Sequence, residues 1–249
     1  MADWNDNRTR PGFGTSDSFT GASVPRTREV FDAGLRQYML SIYNYMTSAV
    51  LLTGIVALVT ARSGFAVTLF AQPVLRLIVM LSPLAIVFAM SFGANRMSTG
   101  TLQLLFWGFA TLMGLSMSTV FIVYTGVSIA QTFFAVTAAF LGLSLYGYTT
   151  KRDLSGIGTF LIMGVVGILV ALVINMFLQS TAMAMAISVI GVLLFAGLTA
   201  YDTQRIKSIY YQVQDSEMLG KTAILGALSL YLDFINMFQF LLSFMGDRR

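Results

Sequence analysis

The fold class this sequence predicts is all-α: a polytopic membrane protein built as a seven-transmembrane-helix bundle. Two observations carry that expectation. Only 10% of the 249 residues are charged while 56% are hydrophobic, with a mean hydropathy of +0.77. A soluble domain of this length carries about 25% charged residues. The few charges also punctuate apolar runs of bilayer-crossing length instead of being interspersed. Composition excludes whole classes of chemistry as well. There is no cysteine and no histidine, so disulfide frameworks, His-based triads, His metal ligands and the usual titrating switch near neutral pH are all absent.

Residues 1–36 read as an N-terminal tail and 37–249 as the membrane domain. To about residue 28 the tail is rich in Asn, Asp, Gly, Ser, Thr, Pro and Arg and lacks apolar periodicity, so it is expected to be disordered. It has neither the apolar core nor the small-residue cleavage site of a signal peptide. EVFDAGLR at 29–36 suits a short interfacial helix.

Seven apolar spans follow. The first runs from about Tyr38 to Thr60, between Arg36 and Arg62, and the second from about Leu77 to Ala94, between Arg76 and Arg96, with Pro83 inside it. The uncharged stretch from Met97 to Thr150 is too long for one helix. It divides at Thr125-Gly126-Val127-Ser128 into spans of about 101–124 and 129–148. Lys151-Arg152-Asp153 closes that pair, and Asp153 is placed to cap the next span. The uncharged run from Leu154 to Tyr201 divides at Gln179-Ser180-Thr181 into spans of about 157–178 and 182–201. A polar connection over about 208–221 leads to the last span, about 222–246. Each span is close to the ~20 residues that cross a bilayer.

The net charge of +4 does not mark a nucleic-acid binder, because the basic residues sit in the tail and at span ends instead of forming a patch. They do set an orientation. With the N-terminus cytoplasmic, that side holds Arg8, Arg10, Arg26, Arg28, Arg36, Arg96, Lys151, Arg152, Arg205, Lys207 and Lys221. The other side holds Arg62, Arg76, Arg248 and Arg249. That bias favours N-in. Seven full spans put the C-terminus outside; a re-entrant last segment returns it inside.

Two carboxylates stand out. Asp233 lies in GALSLYLDFIN, inside a stretch with no other charge between Lys221 and Asp247. Steps of three and four along that span read Thr222, Gly226, Ser229, Asp233, Asn236, Phe240 and Ser243. Except for Phe240 this is a small or polar stripe, suited to a bundle interior or a water-filled path. Small residues alone would mean only close packing; an acid among them points to function. Asp202 lies in AGLTAYDTQRIK at the cytoplasmic end of the sixth span. The sixth and seventh spans are antiparallel neighbours, so Asp202 can approach Asp233 if the sixth span extends inward and the seventh begins late. Two carboxylates within ~4–6 Å in a partly dry site cannot both ionise cheaply and share a proton, which suits a pH sensor. Ionised, the pair is a hard oxygen site fit for transient Ca²⁺. Arg96, on the same side, can bridge to Asp202 or simply set topology. Gly226, Ser229, Asn236 and Tyr201 are the expected lining or supporting residues.

AYDTQRIK after an apolar span, followed by ALSLYLDFINMFQFLL, resembles the Bax inhibitor-1 (transmembrane BAX inhibitor motif) family. LRQYMLSIYNYM and KRDLS are similar to its bacterial members, and the likeness covers roughly 30–249. The resemblance implies a last helix wrapped by the other six and a pH-sensitive Ca²⁺ leak, with calcium as the permeant ion, no cofactor and no enzymatic activity. It implies a hydrogen-bonded aspartate pair, matched here by Asp202 and Asp233, with Arg96 as the match for the arginine that latches the closed state. A bacterial-type member would sit in the inner membrane. The partners so implied are the lipid bilayer, calcium ions and protons, with no nucleic acid.

Two other classes use similar residues. Presenilin-type intramembrane aspartyl proteases also place two acids in successive spans. Their GxGD glycines are replaced here by Leu230 and Leu232, and their Pro-Ala-Leu motif is absent. A non-transporting regulator or scaffold would use the same helices to bind other membrane proteins, with the Asp pair as structural glue.

Overall fold

In the computed structural model of this chain, the backbone is described for residues 24–214 and 216–249, and side chains for 33–214 and 216–249. Residues 1–23 of the expected tail lie outside these. The chain divides into compact units Met1–Gly34 and Leu35–Arg249; everything below concerns the second. Eight helices and no strand make up the described residues: α1 (Val24–Arg62), α2 (Phe65–Ala71), α3 (Pro73–Gly93), α4 (Thr99–Val123), α5 (Gly126–Thr149), α6 (Ser155–Leu178), α7 (Thr181–Val213) and α8 (Met218–Met245). All but α2 are long and apolar enough to cross a membrane. The protein is an integral, seven-span membrane protein.

The polar breaks read from the sequence are helix caps. Thr125 accepts the Ser128 amide at the start of α5, and Ser180 accepts the Met183 amide at the start of α7. Ser98 does the same for Thr101 at α4. Each satisfies an amide that has no partner within its helix. Asp153 Oδ1 accepts the Ser155 amide at 2.9 Å as α6 begins. The Ser155 hydroxyl, and then that amide bond, hold its carboxyl below the usual carboxylate range.

Three boundaries differ from the sequence reading. Helix α1 begins at Val24, within the segment expected to be disordered. The short α2 occupies the stretch between the first two spans; its seven residues are too few to cross a bilayer but bury Ala66 and Leu69. Helix α7 does not end near Tyr201 but runs to Val213, because Asp202, Ile206 and Tyr210 continue its buried face. The connection to α8 is therefore short, and α8 starts at Met218, not late.

Burial follows polarity. In α8, 61% of the span window is buried, against 17–33% in the others. α6, the most hydropathic span, is among the least buried and turns Phe160, Met163 and Phe177 outward. Lipid solvates such faces as well as protein does, whereas an acid-bearing helix needs protein around it. α8 packs against α4, α5 and α7, and Tyr231 on it hydrogen-bonds to Thr53 of α1 at 2.7 Å. Encirclement by all six other spans is more than these contacts amount to. The last helix is an unbroken 28-residue span, not a re-entrant one. Arg249 lines one cavity with Arg62, so the C-terminal end lies at the face where α1 ends.

Candidate functional site

The α7–α8 hairpin sets the register of the two acids. Asp202 lies 11 residues before the end of α7, and Ser229 lies 11 residues after the start of α8. At ~1.5 Å per residue both stand ~17 Å from the connection and so come level. The Ser229 hydroxyl accordingly donates to Asp202 Oδ2. Asp233 is one turn farther in. Both acids are buried, with 8% and 4% of their surface exposed. They lie within Coulombic reach of each other. Ser229 engages one oxygen of Asp202, and Asp233 Oδ2 is buried without a hydrogen-bond partner among the described residues. An unsatisfied buried carboxylate oxygen is costly, and a proton or a cation relieves it.

A cavity of about 310 Å³ between α3, α7 and α8 is lined by Asp202 of this pair. Asp202, Arg205, Ser91, Thr222 and Ser229 supply its polar lining, and Val87, Gly226 and Leu232 are among the apolar residues. Three members of the expected stripe, Thr222, Gly226 and Ser229, thus face one space with Asp202. Gly226 is also a packing residue, since a Cβ there would press on Ile206 and Ile42 at 3.3–3.4 Å. Asn236 turns back on its own helix, donating to the Leu232 carbonyl at 2.8 Å. Tyr201 leans on Gly158 of α6 and lines a separate cavity with Lys151 and Gln204.

Arg96 lies exposed in the turn after α3, and among the described residues no ion pair joins it to Asp202. The guanidinium whose charge acts on Asp202 belongs to Arg205, three residues on and facing the same cavity. The reason is local: Arg205 shares a helix face with Asp202, whereas Arg96 lies past the end of α3, beyond the cavity-lining Ser91.

The run around Asp202 ties the bundle together residue by residue. Thr203 bonds Ser144 of α5 at 3.1 Å, and Ser144 also bonds Tyr43 of α1. Gln204 donates to the Arg152 carbonyl at 2.7 Å and accepts the Leu154 amide at 2.8 Å, clamping the α5–α6 connection. Lys207 Nζ donates to the Tyr148 carbonyl at 2.8 Å, near the C-terminal end of α5, and lies 4.8 Å from the Tyr148 ring centre. Sequence reasoning missed this Tyr43–Ser144–Thr203 chain. Its only signal is hydroxyls at helical spacing in apolar spans, which more often bond their own backbone. Among the described residues no group of three or more Asp, Glu, His or Cys side chains gathers around one point. The site is a cleft lined by one acid, Asp202, with the second, Asp233, buried one turn farther along α8.

Comparison with known proteins agrees with the geometry. The family model described as inhibitor of apoptosis-promoting Bax1 matches residues 35–249. Inner membrane protein YbhL of Escherichia coli strain K12 is 46% identical over 220 residues, covering 87% of this chain and 94% of its own. Protein RP147 of Rickettsia prowazekii is 46% identical over 221 residues, covering 89% and 94%. A Caulobacter vibrioides protein is 43% identical over 239 residues, covering 91% and 96%. With the whole span bundle and both acid-bearing helices inside the matched region, this chain belongs to the family of inhibitors of apoptosis-promoting Bax1.

Proposed function

We infer that the protein is a pH-sensitive calcium leak, gated by Asp202 and Asp233 acting as one proton sensor. The observation that carries this reading is the pair of buried acids on adjacent helices, one of them lining a cavity of about 310 Å³. Its floor offers Ca²⁺ carboxylate and hydroxyl oxygens, the hard ligands that ion takes. Two acids and no fuller ligand set suit brief occupancy and passage better than storage. The inner membrane is the expected location, by likeness to inner membrane protein YbhL, and the N-terminus is cytoplasmic by the distribution of Lys and Arg.

The gating sign follows from charge. Ionised Asp202 holds the Ser229 hydroxyl of α8 and so ties α7 to α8 at the cleft, while Arg205, on its own helix, favours the ionised form. Proton uptake by the pair weakens that tie, so the cleft loosens as pH falls. At still lower pH a fully neutral pair no longer attracts Ca²⁺. Among the described residues no ion pair joins Arg96 to this tie, and Arg205 acts on Asp202 from within α7. No chemistry on a substrate is involved.

The test is Ca²⁺ flux into proteoliposomes between pH 6 and 8. Flux is expected to rise as pH falls, and Asp202→Asn and Asp233→Asn should each flatten the pH dependence. Folded wild-type protein giving no flux above empty liposomes would overturn the leak and favour a non-transporting regulator.

A further inference from the structure

At the opposite face from the acid cleft, two cavities adjoin. One, of about 430 Å³, is almost wholly apolar. Phe234, Ile235 and Phe238 of α8 form its floor, and segments of α1, α4 and α5 form its walls. The other, of about 500 Å³, is lined by Arg62 at the end of α1 and by Arg249. Leu58, Phe121 and Gly126 line both, so the basic end runs into the apolar groove. Each volume is within the ~300–1,000 Å³ of small-molecule sites.

The lips of the groove are the exposed Leu51 and Ile55 on α1 and Phe134 on α5. It therefore opens sideways, where lipid chains lie. From Leu58 to Val50 it extends ~12 Å inward along α1. Glycine keeps it open: a Cβ on Gly54 or Gly126 would meet nothing within 4 Å.

The basic end is held in place. The C-terminal tail pairs antiparallel with the α4–α5 connection: Arg249 N donates to Val123 O at 2.9 Å, and Thr125 N to Asp247 O at 3.1 Å. The Asp247 amide donates to Ser128 Oγ at 3.0 Å. These bonds fix Arg249 beside Arg62. Arg248, 5.9 Å from the Tyr124 ring centre, and exposed Asp247 adjoin this corner.

We propose that this composite groove is a binding site for one anionic phospholipid, its phosphate between Arg62 and Arg249 and an acyl chain lying against α8. Basic side chains at a span end and an apolar slot at hydrocarbon depth are the two halves of such a ligand. The site does not depend on the leak reading, since it uses neither acid.

Native mass spectrometry of the purified full-length protein, exchanged into equal mixtures of phosphatidylglycerol and phosphatidylcholine, tests it. Wild type should retain one phosphatidylglycerol in preference to phosphatidylcholine. Arg62→Gln with Arg249→Gln should lower that preference roughly ten- to thirty-fold, about one basic contact's worth for each arginine. Gly54→Phe, whose Cβ enters open space in the groove, should reduce retention of the lipid while both arginines remain. Equal retention of the two lipids by wild type, or retention unchanged in folded Gly54→Phe protein, would overturn the site.

Discussion

At the residue scale, the pairing of Asp202 is the feature most open to test. Its bond from Ser229 is charge-assisted when the acid is ionised, and such bonds contribute ~1.5–3 kcal/mol. If that bond ties α7 to α8 in the closed state, Ser229→Ala should raise leak at pH 8 by ~10–100-fold while sparing the rise at lower pH. A flux equal to wild type across the range would show that Ser229 is only a neighbour. Much of this site was legible beforehand. An acid in the middle of an apolar span announces itself, and the three-and-four stripe pointed to Ser229 and Gly226 as its company. The arginine was not legible. Arg96 and Arg205 lie on the same predicted side, and only the shared helix face of Asp202 and Arg205 separates them. Tyr201 misled for the same reason: adjacency in sequence turns a side chain about 100° around a helix, here toward α6.

At the scale of the element, close crossings depend on glycine where backbone meets backbone. A Cβ on Gly147 of α5 would run into the Ala200 carbonyl of α7, and peptide groups in a helix cannot yield as a side-chain tip can. Gly147→Ala should therefore destabilise the α5–α7 crossing by ~1–3 kcal/mol, the usual penalty of overpacking. Gly142→Ala, on the same helix where a Cβ meets nothing within 4 Å, should leave stability unchanged or raise it slightly. Unfolding of the detergent-solubilised variants by denaturant reads the contrast. Element ends explain which boundaries the sequence revealed. Ser98, Thr125 and Ser180 cap helices by a local side-chain bond that depends on few neighbours. The end of α7 depends on tertiary packing instead. The charges of DTQRIK mark the limit of the apolar run, but a helix need not stop there when Ile206 and Tyr210 still bury against the bundle.

At the scale of the whole molecule, an odd number of full spans places the two ends of the bundle on opposite faces, and the structure ties the C-terminal tail to the α4–α5 connection on the Arg62 face. The absence of cysteine makes this directly measurable, because any single introduced thiol is the only one present. Ser63 and Asp247 are exposed positions outside the seven spans, and Ser155 is the exposed first residue of α6. Ser155→Cys belongs to the face carrying Lys151, Arg152 and Arg205, and Ser63→Cys and Asp247→Cys to the other. The excess of Lys and Arg puts the first face in the cytoplasm. A membrane-impermeant maleimide should thus label Ser63→Cys and Asp247→Cys in intact spheroplasts, and Ser155→Cys only in inverted vesicles. Labelling of all three with the sides exchanged would reverse the orientation but keep the seven-span fold. Labelling of Asp247→Cys from the same side as Ser155→Cys would contradict the fold itself, because α8 could then not cross the membrane. The acid cleft would lose its geometry with it, since Asp202 and Ser229 come level only when α7 and α8 run antiparallel over the same depth.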